Sequence, residues 1–318
     1  MWSQRVNDPR GRIPSGIPEL DELLYRGGFA PQEFVIFGGR TGTRKTTVTV
    51  NLIANMLQAG TSVGFIGLDE APAQYAAKVC SAVTGVSHEY IEDVWDDDEG
   101  RKYRDIYREV ADKFTTSRGY RPKRDDLEQW LDMADHRPQV VFLDYASLLF
   151  KDKYSGGDAK RIPSVLEELQ IFANEQEVVT IVLHQVNRQN DMTGKKNHGD
   201  RPLTPEDLAY GGEAIPDIIL QTYRPSKDPL GNMDRGAAEA MLGDSFDEDM
   251  YLAAVQRVKN HKRHTFLQLT KNRPGTKVTG DDFDDICLVS PDDSMQMVTD
   301  GMGYGEEDSV DDRRATTY

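Results

Sequence analysis

The sequence predicts an α/β fold: a mostly parallel sheet with helices on both faces, followed by a disordered acidic C-terminal tail. Three observations carry this expectation. Short apolar runs alternate with longer segments of helical periodicity, as in a parallel sheet whose crossovers are helices. The run "EFVIFGG" leads through "GGRTGTRKTT" (residues 38–47) into "TTVTVNLIANMLQAG", a strand, a glycine loop and a helix. With "SVGFIGLDE" this makes a βαβ unit of about 35 residues. Finally, Gly39, Asp69, Asp144 and Gln185 all fall at or just after the ends of apolar runs, and open α/β sheets bind ligands at the carboxyl ends of their strands.

In chain order, "GIPELDELLYRGGFAPQ" reads as a short helix stopped at Gly27-Gly28. The βαβ unit follows, its helix closed by Gly60. Residues 72 to 135 read as mostly helical. "PAQYAAKVCSAV" opens on a proline suited to a first helical turn. "GRKYRDIYREVADKF" places Tyr103, Ile106, Tyr107 and Val110 on one face, and "KRDDLEQWLDMAD" is amphipathic. "QVVFLDYASLLF" is a buried strand that reaches Asp144, "PSVLEELQIFANEQE" a helix and "VVTIVLHQVNRQ" a strand. The polar stretch 189–213 reads as a long loop, and such loops are usually functional. "AIPDIILQTYRP" is a strand, 226–249 a turn-rich and acidic surface excursion, and "HTFLQLTKNRPG" a strand ending at a turn. The expected organisation is an N-terminal arm (1–12), one domain (13–298) and an acidic tail (299–318), with no internal repeat.

The 318 residues are ample for a core, and 38% hydrophobic with 29% charged residues is a globular composition. No apolar run approaches the roughly 20 residues of a membrane helix, and "MWSQRVNDPRGRIPSG" lacks the apolar centre of a signal peptide. Cys80 and Cys287 form no metal or disulfide pattern, which points to a reducing, cytoplasmic compartment. The net charge of −16 is uneven: residues 281–318 hold twelve acids and two arginines, whereas residues 251–280 hold seven Lys/Arg and no acid. Such asymmetry fits either polyanion contact or a solvated face beside a solubilising tail.

The chemistry centres on the glycine loop. Phosphate is held by backbone N–H groups at a helix N-terminus and by a lysine point charge, in the pattern G-x-x-x-x-G-K-[ST]. Gly39, Lys45 and Thr46 keep that spacing, but Arg44 stands where the second glycine belongs. The candidate cradle is Gly39, Arg40, Thr41, Gly42, Thr43, Arg44, Lys45, Thr46 and Thr47. Lys45 would reach the outer phosphates and Thr46 a Mg²⁺ ion. Asp144 is a strand-end acid able to support that ion. Asp69 or Glu70 is placed to orient or deprotonate a water; adjacent acids before a helix also serve as N-caps. Gln185 would bond the γ-phosphate. An ordinary strand–helix turn or polar strand end explains any one of these; their order along one sheet points to nucleotide binding.

With these residues in view, the chain resembles the RecA-fold P-loop ATPases, and most closely the DnaB-like replicative helicases. "SGIPELDELLYRGGFAPQEFVIFGGRTGTRKTT" is similar to the entry segment and Walker A of that group, and also to RadA-like and KaiC-like ATPases. "FIGLDEAPAQ" resembles the stretch whose glutamate activates water, without choosing between Asp69 and Glu70; "VVFLDYASLL" resembles the Walker B strand. "VVTIVLHQVNRQ" matches a Ser-Gln-Leu-Asn-Arg strand at Gln185, Asn187 and Arg188. "EDLAYGGEAIPDIILQTYRP" is similar to the segment after the DNA-binding loop, and "LTKNRPGTK" to a Lys-x-Arg-x-Gly motif.

The resemblance implies a RecA-like core using ATP and Mg²⁺, a ring oligomer, expected to be hexameric, and single-stranded DNA as partner. It places Lys271 and Arg273 as residues acting on the γ-phosphate of the neighbouring subunit. DNA contacts are expected from Arg188 at the end of the preceding strand and from Lys195, Lys196 and Arg201 in the loop 189–201. A second candidate group is Lys151, Lys153, Lys160 and Arg161. The acidic tail would recruit other replisome proteins. The side chain of Arg44 is expected to fit if its backbone is helical. Set against bacterial DnaB, the sequence is expected to lack the N-terminal domain and linker helix of that group. Two other readings share the core: a RecA- or RadA-like recombinase forming filaments, and a nucleotide-binding assembly protein with impaired hydrolysis.

Overall fold

The computed structural model describes residues 11–68, 71–118, 122–146, 149–150, 157–186, 199–208, 210, 212–275, 285–290 and 295–299. Their centre is a nine-stranded sheet in the order β3-β2-β4-β5-β1-β6-β7-β8-β9. The strands are β1 (Phe34–Gly39), β2 (Val63–Gly67), β3 (Phe114–Arg118), β4 (Val140–Asp144), β5 (Val179–Gln185), β6 (Ile218–Tyr223), β7 (His264–Asn272), β8 (Asp285–Val289) and β9 (Val298–Thr299). Strands β3 to β6 in that order run parallel, and β7, β8 and β9 add antiparallel. This is the α/β architecture the sequence predicts.

Both faces are covered. Along β1 the side chains alternate: Val35 and Phe37 join one apolar cluster, Phe34 and Ile36 the other. Every residue of the strand is therefore buried, which is why it reads as a continuous apolar run. The first cluster is closed by helices α2 (Lys45–Gln58) and α3 (Pro72–Thr84), which contribute Leu52, Ile53, Met56, Tyr75 and Val79. On the opposite face, after the smaller helices α4 (His88–Val94) and α5 (Arg101–Ala111), come α6 (Arg124–Met133) and α7 (Asp158–Gln176). They bring Leu127, Leu131, Ile162, Leu166, Leu169 and Phe172. Helix α1 takes in Pro18–Leu23, which precedes β1.

Three expectations change. The stretch 72–135 is not only helical, because it contains β3, "FTTSR". That strand is polar and lies at the sheet edge beside β2 alone, so it carries no buried run to reveal it. The excursion 226–249 is ordered: Pro225–Lys227 forms a 3₁₀ turn, and α8 (Arg235–Leu242) and α9 (Glu248–Asn260) follow. Asp234 and Asp247 accept from the amides of Ala237 and Met250, so the acids read as turn residues are N-caps. On α5, Tyr103 and Val110 are buried but Ile106 is 38% exposed. Of the expected acidic tail (299–318), Thr299 pairs with Leu288 as the end of β9, and the remainder lies outside the described residues.

Phe142 sits fully buried on β4, between β2 and β5. Phe142→Ala should lower stability by about 3–5 kcal/mol, read as a lower urea midpoint with little change in slope.

Candidate nucleotide-binding site

Gly39 ends β1 in register with Gln185 of β5 and Thr222 of β6. A Cβ on Gly39 would lie 2.6 Å from Thr222 Oγ1 and 2.7 Å from Thr43 Oγ1, so only glycine fits. Residues 40–43 form a turn in which the Thr43 amide donates to Arg40 O at 3.2 Å. Thr43 is fully buried, and its hydroxyl bonds both Arg40 O (2.8 Å) and Thr222 Oγ1 (3.0 Å). The loop is thereby fixed to its own strand and to β6.

Lys45 opens α2 and folds back onto the loop, its Nζ donating to Gly39 O at 2.6 Å and Arg40 O at 3.3 Å. Burial lowers its pKa to about 8; Asp144 works against the shift, while Lys227 and Arg40 add to it. A half-buried cation held by backbone carbonyls is suited to an incoming phosphate.

Arg44 departs from expectation. It is not helical but left-handed, with φ 63° and ψ 29°. A non-glycine residue there costs about 1–2 kcal/mol. Its guanidinium bonds Arg263 O at 2.9 Å, which offsets part of that cost. Burial, and then the charge of Arg263, lower the Arg44 pKa.

Asp144 ends β4 opposite Gly67, and its Oδ2 accepts from Tyr75 Oη at 2.9 Å. Tyr75 is itself held by Phe65, with ring centroids 4.0 Å apart. Asp144 is half-buried, Thr46 lies in the first turn of α2, and Gln185 presents an exposed side chain beside Gly39. An acid and a hydroxyl suit Mg²⁺, which takes oxygen ligands and is usually held by one or two carboxylates together with substrate phosphates. Among the described residues no cluster of three His, Cys, Asp or Glu side chains forms a metal cage. Asp69 and Glu70 lie outside the described residues.

Lys271 and Arg273 stand at the opposite edge. Lys271 pairs with Ile219, and the Arg273 amide donates to Asp217 O, at the start of β6 rather than its end. From Thr222 to Asp217 the strand rise amounts to about 17 Å. Lys271 Nζ bonds Glu213 O at 2.6 Å; Arg273 bonds Ala214 O at 2.8 Å and pairs with buried Asp217 at 3.6 Å.

Of the DNA candidates, Arg188, Lys195, Lys196, Lys151 and Lys153 lie outside the described residues. Arg201 pairs with Asp207 at 3.5 Å and is a third exposed. Lys160 is exposed. Arg161 is not a free surface cation: it is 4% exposed, donating to Leu149 O and pairing with Asp158. Its place is structural.

Two residues escaped the sequence reading. Arg224 Nη1 bonds Gly42 O at 3.3 Å, and Lys227 Nζ bonds Thr41 O. The signal was the basic pair in "YRPSK", directly after the strand that neighbours the glycine loop.

Residues 12–277 match the family model of the DnaB-like helicase C-terminal domain. The chain is 25% identical over 282 residues to the replicative DNA helicase DnaB of Helicobacter pylori, covering 84% of this chain and 56% of that protein. It thus spans about half the length of the curated relatives it matches. In fold it is similar to a DnaB-like replicative helicase solved with a view to its interactions with primase. The TM-score is 0.64 at 19% identity, over 90% of this chain and 62% of that one. A KaiC-like protein from Pyrococcus horikoshii is more distant, with a TM-score of 0.54 and 16% identity over 91% of this chain and 98% of that one. These likenesses bear out the expected RecA-like fold. No described helix is long and apolar enough to cross a membrane.

The left-handed turn at Arg44 gives a stability test. Arg44→Ala keeps the unfavourable backbone and loses the bond to Arg263 O, whereas Arg44→Gly removes the strain. Urea unfolding should find Arg44→Ala less stable than Arg44→Gly by about 1 kcal/mol. Equal midpoints would contradict the left-handed turn.

Proposed function

Because the chain belongs to the DnaB-like helicase C-terminal domain family, we propose that it is the ATP-hydrolysing motor of a replicative DNA helicase, moving on single-stranded DNA as a ring. Its compartment is the cytoplasm. The observation that carries the reading is Lys45: a half-buried cation folded onto the glycine loop, with its pKa lowered to about 8, near the strand-end carboxylate Asp144.

In this reading the loop amides and Lys45 bind the phosphates and hold the outer one against Gln185. Thr46 and Asp144 hold Mg²⁺, which screens phosphate charge when bound. Asp69 or Glu70 orients the attacking water and takes its proton. Lys271 and Arg273 cannot serve the site of their own chain, because they sit at the far edge of the sheet. They serve the neighbour's γ-phosphate, as an arginine finger does in trans. That makes hydrolysis depend on assembly, proposed as a hexamer. Arg188, Lys195, Lys196 and Arg201, with Lys151 and Lys153, contact the DNA backbone inside the ring. The acidic tail recruits other replisome proteins.

Steady-state ATP turnover with and without single-stranded DNA, alongside unwinding of a forked duplex, tests this. DNA should stimulate turnover, and the forked duplex should open. Lys45→Ala should abolish nucleotide binding. Arg273→Ala should keep it while lowering kcat by about 10³-fold or more. Binding without turnover would favour an assembly protein, and strand exchange without unwinding a recombinase.

The low pKa of Lys45 also fixes the direction of a pH effect. The charged lysine binds phosphate, and bound phosphate raises its pKa again. Protons are therefore taken up on binding near pH 8–9, and ATP affinity should fall as pH rises through about 8. The fall approaches tenfold per unit above that point. Calorimetry in buffers of different ionisation enthalpy reads the uptake directly; release of protons instead would contradict the assignment.

A further inference from the structure

β6 and β7 are antiparallel neighbours, and a two-residue hairpin would join them. Instead residues 224–263 intervene, with the 3₁₀ turn and helices α8 and α9. The start of this connection turns back over the glycine loop. Lys227 Nζ donates to Thr41 O, and a Cβ on Gly42 would lie 3.0 Å from that Nζ and 3.2 Å from Cε, so the lysine lies against the tip of the loop. Arg224 reaches Gly42 O at 3.3 Å with Nη1, Lys262 O at 2.8 Å with Nη2 and His264 O at 3.3 Å with Nε. Arg44 reciprocates from the loop by donating to Arg263 O. Two loop carbonyls are thus held from one side, and a loop guanidinium is anchored to the end of the connection.

The geometry has a consequence for anion binding. In a trans peptide the C=O and the following N–H point in opposite directions. Holding Thr41 O from the side of Lys227 turns the Gly42 amide to the other side. Holding Gly42 O fixes the next peptide, whose Thr43 amide donates to Arg40 O and keeps the turn closed. The closed turn leaves the Gly42 amide on the side away from Lys227, and backbone amides presented on a concave side are what binds phosphate. The charge acts in the same direction. Lys227 is close enough to Lys45 to lower its pKa, as Arg40 does, so a phosphate entering between them meets more than one cation.

We propose that Lys227, with Arg224, is a positioning residue of the nucleotide site, setting the phosphate affinity of the loop by gripping its carbonyls from the β6–β7 connection. This rests on the ATP reading above. Neither residue needs to touch the nucleotide. Their effect falls on binding rather than on the chemical step, because the grip is the same before and after the phosphate is cleaved.

The test is equilibrium titration of a fluorescent ATP analogue, with steady-state hydrolysis and thermal melts, on the full chain and its Lys227→Ala, Lys227→Arg and Lys45→Ala variants. Lys227→Ala should weaken analogue binding and raise KM for ATP together, by about tenfold, while kcat falls less than about twofold. Its melting point should stay within about 3 °C, since Lys227 is half-buried and outside both apolar clusters. Lys227→Arg should recover most of the affinity, which loss of a merely structural contact would not require. Suppose the unaltered chain binds the analogue, Lys45→Ala abolishes binding, and Lys227→Ala binds as the unaltered chain does. Then the positioning role is wrong and the ATP reading stands. If the unaltered chain binds no analogue, the ATP reading fails and takes this inference with it.

Discussion

The left-handed turn at Arg44 is the constraint on which the site depends. A strand that ends in an anion cradle and continues as a helix must reverse its direction within a few residues. Between β1 and α2 this falls to residues 40–44, and the last of them takes φ 63°. Glycine would do so without strain. Arginine does so at a cost, and its long side chain provides a bond that glycine lacks, to Arg263 O. The departure from the usual motif is therefore not simply a loss. It ties the loop to the β6–β7 connection, from which Arg224 and Lys227 reach back to the carbonyls of Gly42 and Thr41. Loop and connection form one hydrogen-bonded unit.

The sheet supplies everything else. β1 lies between β5 and β6, buried on both faces. Its end is thus held in register with Gln185 and Thr222, while β4 brings Asp144 up one strand further out. Because these strands are parallel, their carboxyl ends meet at one edge. Because β7 runs antiparallel, it carries Lys271 and Arg273 to the other. The proposed division of labour, with an ATP site on one subunit and cations from the next, would follow from that single reversal. Arg273 is also paired with Asp217, which accepts the Phe34 amide at the start of β1. The far cations and the phosphate loop are therefore fixed to opposite ends of the same strand.

What was legible in the sequence was what burial writes into it. Strands covered on both faces leave apolar runs, so β1, β2, β4, β5 and β6 were readable, as were the polar residues that end them. The glycine loop was readable because Gly39 and Lys45 face steric and charge demands that few other residues meet. β3 was missed because an edge strand of "FTTSR" has no such run. α8 and α9 were missed because their acids resemble turn residues until Asp234 and Asp247 are seen capping helices. Arg224 and Lys227 were passed over, because the basic pair after β6 marks their place but contacts to backbone carbonyls far along the chain leave no local pattern of their own. Arg161 misled for the converse reason: a cation in a polar stretch reads as exposed, but here it is folded into the structure through Leu149 O.

The central claim is that the loop with Arg44 still forms a phosphate cradle. It is tested most directly by a crystal structure of the chain with Mg²⁺ and a non-hydrolysable ATP analogue. The account predicts that Lys45 Nζ leaves Gly39 O for the phosphates, that Arg44 stays left-handed, and that the carbonyls of Thr41 and Gly42 remain bonded to Lys227 and Arg224. An analogue bound elsewhere, with Lys45 still folded onto Gly39 O, would contradict it.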